Sequence, residues 1–146
     1  TPYKTKNGFF DVPEELLLVK GMKPEYMTGS DKVKAIGPLI TTFGRGTINI
    51  NTVSTEVMES LGLNKSDIET VLKQRESGGF SSVPQQFGTF GLNTTYSSYF
   101  RIEVVAHVNG GNRAVRIVSI INRTPTGKGF KIQTVYWREN AESYRG

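Results

Sequence analysis

The stretch Gly44-Arg-Gly-Thr-Ile-Asn-Ile-Asn-Thr52 decides the fold, because it is a polar lead-in to two short helical runs. The first run ends at Gly62-Leu63-Asn64, and the second ends near Arg75, just before Gly78-Gly79-Phe80. Two short helices joined by a tight turn outline a helix-hairpin-helix module. Such a module can grip nucleic-acid phosphates or serve as scaffold, so the function depends on which role it has here.

The boundaries of both helices follow from residues that cap helices. Thr52 or Ser54 is the expected cap of the first helix, because their side-chain oxygens can accept a bond from a free backbone N–H of the first turn. Asn64 is the expected cap of the second, with the acidic Asp67 three residues on. Apolar residues at helical spacing predict the shared faces: Val57, Met58 and Leu61 in the first helix, and Ile68, Val71 and Leu72 in the second.

An earlier helix is predicted within residues 9–22. Asp11 is in place to cap it, and Glu14, three positions on, would complete a capping box. Pro13 suits the first turn, where a missing N–H has no intrahelical partner. Gly21 is the expected stop, since glycine accepts the left-handed conformation that often ends a helix.

From Tyr96 onward the hydrophobic period changes from helical to two, which predicts β-strands. Asn109-Gly-Gly-Asn112 and Pro125-Thr-Gly-Lys-Gly129 are the expected turns between three strands. The apolar alternation is carried by Phe100, Ile102, Val104, Ala106 and Val108 in the first strand, and by Phe130, Ile132, Thr134 and Tyr136 in the third, while residues 115–121 are apolar on both faces.

The predicted fold class is therefore α+β. Residues 1–92 form a helical part that includes the helix-hairpin-helix, or SAM-like, module at about 44–90. Residues 93–146 form a three-stranded antiparallel meander. The order of helices first and strands later is typical of segregated α+β architectures.

Composition excludes several classes of protein. The 146 residues carry a net charge of +5 and no cysteine, which removes thiolate catalysis, disulfides and cysteine metal sites. The charge alone is compatible with nucleic acid but does not require it. No apolar run reaches the roughly 18 residues of a membrane span. Because the chain begins at Thr1, we expect a trimmed product whose leader or anchor lies upstream.

Residues able to support catalysis or bind a metal are scarce. His107 is the only histidine and lies on the polar side of a strand, which indicates a surface position. The acidic pairs Glu14-Glu15 and Asp67/Glu69 are explained by the positive end of a helix dipole. Neither glycine-rich turn matches a phosphate-binding loop. We therefore predict no catalytic residue, no metal site and no enzyme.

Whether the hairpin binds DNA depends on three residues, which would make the contacts: Gly62, Asn64 and Lys65. A phosphate-gripping hairpin uses glycines so that backbone N–H groups can approach closely. Only one glycine is present, and Asn64 is committed to capping. Acidic neighbours offset the local lysines, although a phosphate site needs a dense positive field. Scaffold is the favoured reading and DNA binding of the uptake type is the alternative, so we expect no nucleic-acid partner.

Several motifs, in order along residues 9–108, resemble those of K-type minor pseudopilins of the type II (general) secretion pathway. The segment Phe10-Asp-Val-Pro-Glu-Glu-Leu16 followed by Leu18-Val-Lys-Gly-Met22 resembles the family's succession of an aromatic residue, Glu-Leu and Val-x-Gly-Met. Asn-Ile-Asn-Thr also occurs in DNA-uptake proteins, and this upstream segment makes the secretion family the better match. The remaining matches are Tyr26, Ile48-Asn-Ile-Asn-Thr52, Glu56-Val57, Leu61, Arg75, Phe80 and Ser98-Tyr-Phe-Arg-Ile102.

The resemblance implies a pilin-like α/β body with a helical SAM-like insert. It implies an N-terminal membrane helix, absent here, that anchors a periplasmic domain to the bacterial inner membrane. It implies a place at the tip of a short pseudopilus, with the I-type and J-type minor pseudopilins and other pseudopilins as partners. No cofactor is predicted, although calcium is a candidate ligand because some relatives bind it. Val53 departs from the pattern, since the family favours Ala there.

A three-stranded sheet needs a second layer to cover its apolar face. We expect Phe100, Ile102 and Val104 to pack either on residues 13–20 or on the missing helix. In the second case the three side chains form an exposed, partner-facing apolar strand face.

Overall fold

A computed structural model describes residues 7–107 and 114–139. The chain divides into two units, the first with residues 7–43 and the second with residues 44–107 and 114–139. The elements in chain order are a 3₁₀ helix Pro13–Leu18, α1 Pro24–Thr28, a 3₁₀ helix Gly37–Leu39, β1 Ile48–Asn49, α2 Thr55–Ser60, α3 Lys65–Glu76, α4 Gln85–Gly88, β2 Leu92–Thr94, β3 Tyr99–His107, β4 Ala114–Thr126 and β5 Gly129–Glu139.

The first unit begins with a helix whose start differs from the predicted one. The helix is 3₁₀, and its N-cap is Val12 with no side-chain bond, so the prediction of Asp11 as cap and of a capping box with Glu14 was wrong. Pro13 occupies the first helical position, which leaves Asp11 one residue outside the cap. The backbone N–H of Asp11 instead donates to Glu15 Oε1 at 3.2 Å.

The same helix ends at Leu18, before the predicted stop at Gly21. Runs of 3₁₀ helix are short because their hydrogen-bond geometry is poorer than that of an α-helix. Gly21 has a φ of +92° but lies in the turn beyond the helix. In the short helix α1, which follows, Met27 is the buried side chain.

In the second unit, the caps of α2 and α3 are the predicted ones. Ser54 Oγ accepts a bond from the N–H of Val57 at 3.3 Å, and Asn64 Oδ1 accepts one from the N–H of Asp67 at 2.9 Å. A single further turn, α4, follows Pro84. The local capping chemistry therefore sets where these helices begin.

These helices enclose a continuous apolar core. Its buried members are Ile50, Met58, Leu63, Ile68, Val71, Phe87 and Leu92. The rings of Phe80 and Phe87 meet edge to face, with centroids 6.2 Å apart. Leu72 was expected to share the face of Ile68 and Val71, but it is exposed. Only part of the apolar face of α3 is therefore buried.

The strands β1 and β2 pair in parallel and bring the two ends of this part of the chain together. Ile48 pairs with Leu92 and Asn49 with Thr94, across a register irregularity. The N–H of Ile50 donates to Thr94 O at 2.9 Å. We call residues 48–97 the helical module, because the strand pair joins its two ends.

The remaining strands form one antiparallel sheet in the order β3-β4-β5, which confirms the predicted three-stranded antiparallel sheet. The chain is thus a mixed helix and strand protein. The predicted turn at 109–112 lies outside the described residues. Within the described ranges, no helix combines the length and apolarity needed to cross a bilayer.

The sheet contains a register shift that the sequence pattern does not reveal. Between Ile120 and Ile121 of β4, the partner in β5 changes from Tyr136 to Thr134. One extra residue in a strand reverses the alternation beyond it. Tyr136 was expected to continue the alternation of Phe130 and Ile132, but the shift turns it to the other side, and Trp137 takes its place.

Candidate functional site

One side of the sheet is apolar on all three strands. Directly paired residues of antiparallel strands project their side chains to the same side. The register therefore assigns these apolar residues to one surface, here called the apolar face: Phe100, Ile102, Val104, Val115, Ile117, Ile121, Phe130, Ile132 and Trp137.

The apolar face is open to solvent. The exposed fractions are 43% for Ile102, 51% for Val104, 60% for Phe130, 64% for Ile132 and 57% for Trp137. Such a row of large exposed apolar side chains is uncommon on a soluble monomer.

Of the three residues that the sequence singled out on this face, Ile102 and Val104 are exposed and Phe100 is half-buried. The sequence reasoning missed the contribution of β4 and β5. The alternation of Phe130 and Ile132 was a usable signal, whereas Trp137 joins the face only through the register shift.

The opposite side of the sheet has a different character. Val118 and Ile120 are buried there. Glu103 Oε2 lies 2.6 Å from an Nη of Arg101, and Glu103 Oε1 lies 3.4 Å from Nε of Arg116. Glu103 therefore pairs with two arginines on this side of the sheet.

Arg123 is a cation within the apolar face. Its guanidinium lies over the rings of Phe100 and Phe130, 5.0 Å and 4.7 Å from their centroids. An Nη donates to the carbonyl of Ser97 at 3.2 Å, and the backbone N–H donates to Ser98 O at 2.7 Å. These contacts hold the side chain in one place and connect β4 to the end of the helical module.

The Asn-Ile-Asn motif organises the helical module from within. Asn51 Nδ2 donates to the carbonyls of Phe80 and Thr95, both at 3.0 Å, and Asn51 Oδ1 accepts from the N–H of Phe80 at 2.8 Å. Asn49 Oδ1 accepts from the N–H of Asn51 at 2.9 Å, and Asn49 Nδ2 donates to Ser97 Oγ at 3.0 Å. The motif thus satisfies backbone groups from three separate segments.

Arg75 completes the same network from α3. Its Nε and an Nη donate to the carbonyl of Ile50 at 2.9 and 2.6 Å. Burial lowers the pKa of the Arg75 guanidinium from its ordinary value, because desolvation disfavours the charged form. The paired bonds offset part of that desolvation, so this arginine has a structural use in its own module.

The hairpin between α2 and α3 uses its backbone donors to end a helix. Gly62, at φ +94°, donates its N–H to Glu59 O at 3.0 Å, and Leu63 donates to Met58 O at 3.1 Å. This is the Schellman pattern of a helix C-terminus. Two of the N–H groups that could have faced a phosphate are therefore engaged within the helix end.

The other two candidate DNA contacts, Asn64 and Lys65, lie at the start of α3. Asn64 caps α3, and Lys65 is its first residue and is exposed. Helix termination and capping account for Gly62 and Asn64 without a nucleic acid, and no observation at the hairpin favours DNA contacts.

The described residues do not form a set that suits a calcium ion. Within 7–107 and 114–139, no group of three or more His, Cys, Asp or Glu side chains lies together. Calcium takes several oxygen ligands, with carboxylates prominent among them.

The geometry describes an α+β chain with a closed helical module and an open apolar sheet face. Residues 48–97 match the family model of type II secretion system (T2SS) protein K. The match over these residues supports the resemblance to K-type minor pseudopilins. Neither a comparison with curated proteins nor one with solved structures found a match.

The matched range covers the helical module from β1 to the residues just before β3. The network of Asn49, Asn51 and Arg75 lies entirely inside it. The family match therefore covers the part of the chain in which polar side chains hold separate backbone segments together.

Proposed function

We propose that this chain is part of a minor pseudopilin that supports protein export by type II secretion through protein–protein contacts rather than catalysis. The family match over residues 48–97 supports the secretion role. The observation that carries the contact role is the apolar face, which spans β3, β4 and β5 and has large exposed side chains on both outer strands.

The finer features come from the resemblance. The chain acts at the tip of the pseudopilus with the I-type and J-type minor pseudopilins and helps to start filament assembly. Its residues 93–146 belong to a pilin-like body, into which a SAM-like insert at about 44–90 is placed. An N-terminal helix outside this chain anchors the protein in the inner membrane, with this part in the periplasm.

The apolar face is the surface on which a further layer would complete the pilin-like body. Three strands at a spacing of about 4.8 Å give a face roughly 10–14 Å wide, which is close to the diameter of one α-helix. A single helix packed along the strands would cover it, as helix-on-sheet layering requires. Phe100, Ile102 and Val104 would then be part of a larger docking surface.

A charge placed on the apolar face tests this proposal. In the full-length gene, Ile132→Asp should abolish or strongly reduce secretion, because a carboxylate in a dry helix–sheet contact is strongly unfavourable. Gln133→Asp is the matched control: it introduces the same charge one residue away, on the other side of β5, and should leave secretion near the normal level. Co-purification with the I-type and J-type subunits should follow the same order.

Normal secretion by both the Ile132→Asp and the Gln133→Asp variant, with both proteins present at normal levels, would refute a contact role for the apolar face. A loss of co-purification in both variants would instead place the partner contacts elsewhere on the molecule.

The alternative, a DNA-binding hairpin at Gly62, Asn64 and Lys65, has a separate test. An electrophoretic shift with duplex DNA that weakens steeply with salt would support it, since phosphate contacts release counterions. We expect no shift at physiological salt, and none that responds to Lys65→Ala.

A further inference from the structure

Arg123 poses a problem for any purely apolar partner of the apolar face. Among the described residues that the register places on this side, the charged ones are Arg123 and Glu139. Glu139 pairs with Ile117, six positions along β4 from Arg123, which is about 20 Å at the usual rise of a strand. Glu139 is too far away to neutralise the guanidinium. The neighbours of Arg123 on the apolar face include the paired Ile132 and the rings of Phe100 and Phe130, all of them apolar.

Covering this guanidinium with hydrocarbon alone would be unfavourable. Removing a charge from water is strongly unfavourable unless a partner compensates it. The rings of Phe100 and Phe130 and the carbonyl of Ser97 already orient the side chain. A planar, fixed guanidinium offers paired donors that match a carboxylate.

We propose that the partner helix of the apolar face carries one Asp or Glu within its apolar stripe, and that this carboxylate pairs with Arg123. This inference rests on the proposed function in taking a single helix as the occupant of the apolar face. It adds the chemistry that selects that helix: an apolar stripe with one anionic position near the end where Arg123 lies. The carboxylate fixes the position of the helix along the strands as well as its identity.

The protein contains its own reporter for the experiment. Trp137 is the single tryptophan, lies on the apolar face and is exposed, so covering the face should shift its emission to shorter wavelength. The probes are two synthetic helical peptides with the same Leu/Ala stripe and Gln/Ser polar face. They differ at one position near the end of the stripe, which is Glu in one peptide and Gln in the other.

We expect the Glu peptide to bind the 146-residue chain about tenfold more tightly than the Gln peptide, as charge-assisted pairs at partly desolvated sites do. Arg123→Met should remove this preference while both peptides still shift Trp137. Arg123→Lys should keep a reduced preference, since it retains the charge but loses the planar fork. Arg123→Glu should reverse it toward a peptide with Lys at the same position.

Lys131→Met is the matched control, because it removes one cation from β5 on the other side of the sheet, opposite Thr124. It should leave the preference for Glu unchanged. Far-UV circular dichroism verifies that each variant is folded, and the Lys and Glu replacements of Arg123 keep the test valid if the Met variant is not.

The outcomes separate the two proposals. Equal affinity of the wild-type chain for the Glu and Gln peptides, with a clear shift of Trp137 for both, would overturn the carboxylate pairing and leave helix docking intact. If neither peptide shifts the emission of Trp137, helix docking on the apolar face fails, and the pairing fails with it.

Discussion

The helical module buries its apolar side chains, whereas one side of the sheet exposes them. In the module, Phe87, Met58 and Val71 are almost completely buried against one another. In the sheet, Phe130 and Ile132 project into solvent. The module therefore buries its hydrophobic groups within this chain, whereas the sheet leaves its apolar face exposed.

The difference has a geometric origin. Short helices, linked by tight turns and closed by a strand pair, can surround a small core from several directions. A single sheet has two sides, and each needs its own covering layer. Substitutions in the module should therefore change the stability of the isolated chain, and substitutions on the apolar face should mainly change association.

The largest expected contrast is between two aromatic truncations. Phe87→Ala should lower the free energy of unfolding of the module by about 3–5 kcal/mol, since it leaves a cavity in a closed core. Trp137→Ala removes a larger side chain but should cost less than about 1 kcal/mol, because that side chain is mostly exposed. Urea denaturation followed by circular dichroism measures both. Similar losses for the two variants would mean that the apolar face is already covered within the chain.

A second contrast concerns asparagines in the two regions. Asn51→Ala should destabilise the module by about 3 kcal/mol, because it leaves backbone groups of Phe80 and Thr95 without partners. Asn122→Ala in the sheet removes one long bond to Tyr99 Oη, at 3.4 Å, and should cost less than about 1 kcal/mol. Amide hydrogen exchange at Phe80 should increase in the first variant alone.

A third prediction concerns crowding inside the module. Gly79 and Gly91 both have positive φ, +84° and +89°, so alanine is strained at either position. At Gly79 the new Cβ would also lie 3.0 Å from Asn51 Oδ1, whereas at Gly91 no atom lies within 4 Å. We expect Gly91→Ala to cost about 1 kcal/mol and Gly79→Ala about twice that. Equal melting temperatures would show that Asn51 can move without loss.

The smallest expected effect is at a helix cap. Asn64→Ala should reduce stability by about 1 kcal/mol, because the N–H of Asp67 loses its acceptor. Asn64→Ser should recover most of that loss, since the serine oxygen can accept the same bond. Thermal melts of the three proteins are sufficient, and an unaffected alanine variant would show that the start of α3 is held by packing instead.

Local chemistry was predictable wherever the local sequence decides the outcome. Ser54 and Asn64 cap their helices as predicted, because a cap involves only the next few residues. The change of period after Tyr96 marks the sheet for the same reason, since side-chain alternation is a property of one strand. The start of the first helix was misjudged because two local signals competed there, and Pro13 took precedence over Asp11.

The composition of the apolar face was only partly predictable. Ile102 and Val104 followed from alternation in β3, but the inclusion of Trp137 and the loss of Tyr136 depend on a register shift between two strands. The position of Arg123 between Phe100 and Phe130 joins side chains of three strands. No single-strand pattern contains that information.

By itself, the sequence determined the caps of α2 and α3, the ends of these helices before Gly62 and Gly78, and the alternation along β3, because these depend on backbone preferences within a few residues. Only the tertiary structure decided that β1 pairs with β2, that Asn51 joins Phe80 to Thr95, and that one side of the sheet stays open. Those features require segments far apart in sequence to meet. Their free energy depends on which groups each segment can satisfy in the other.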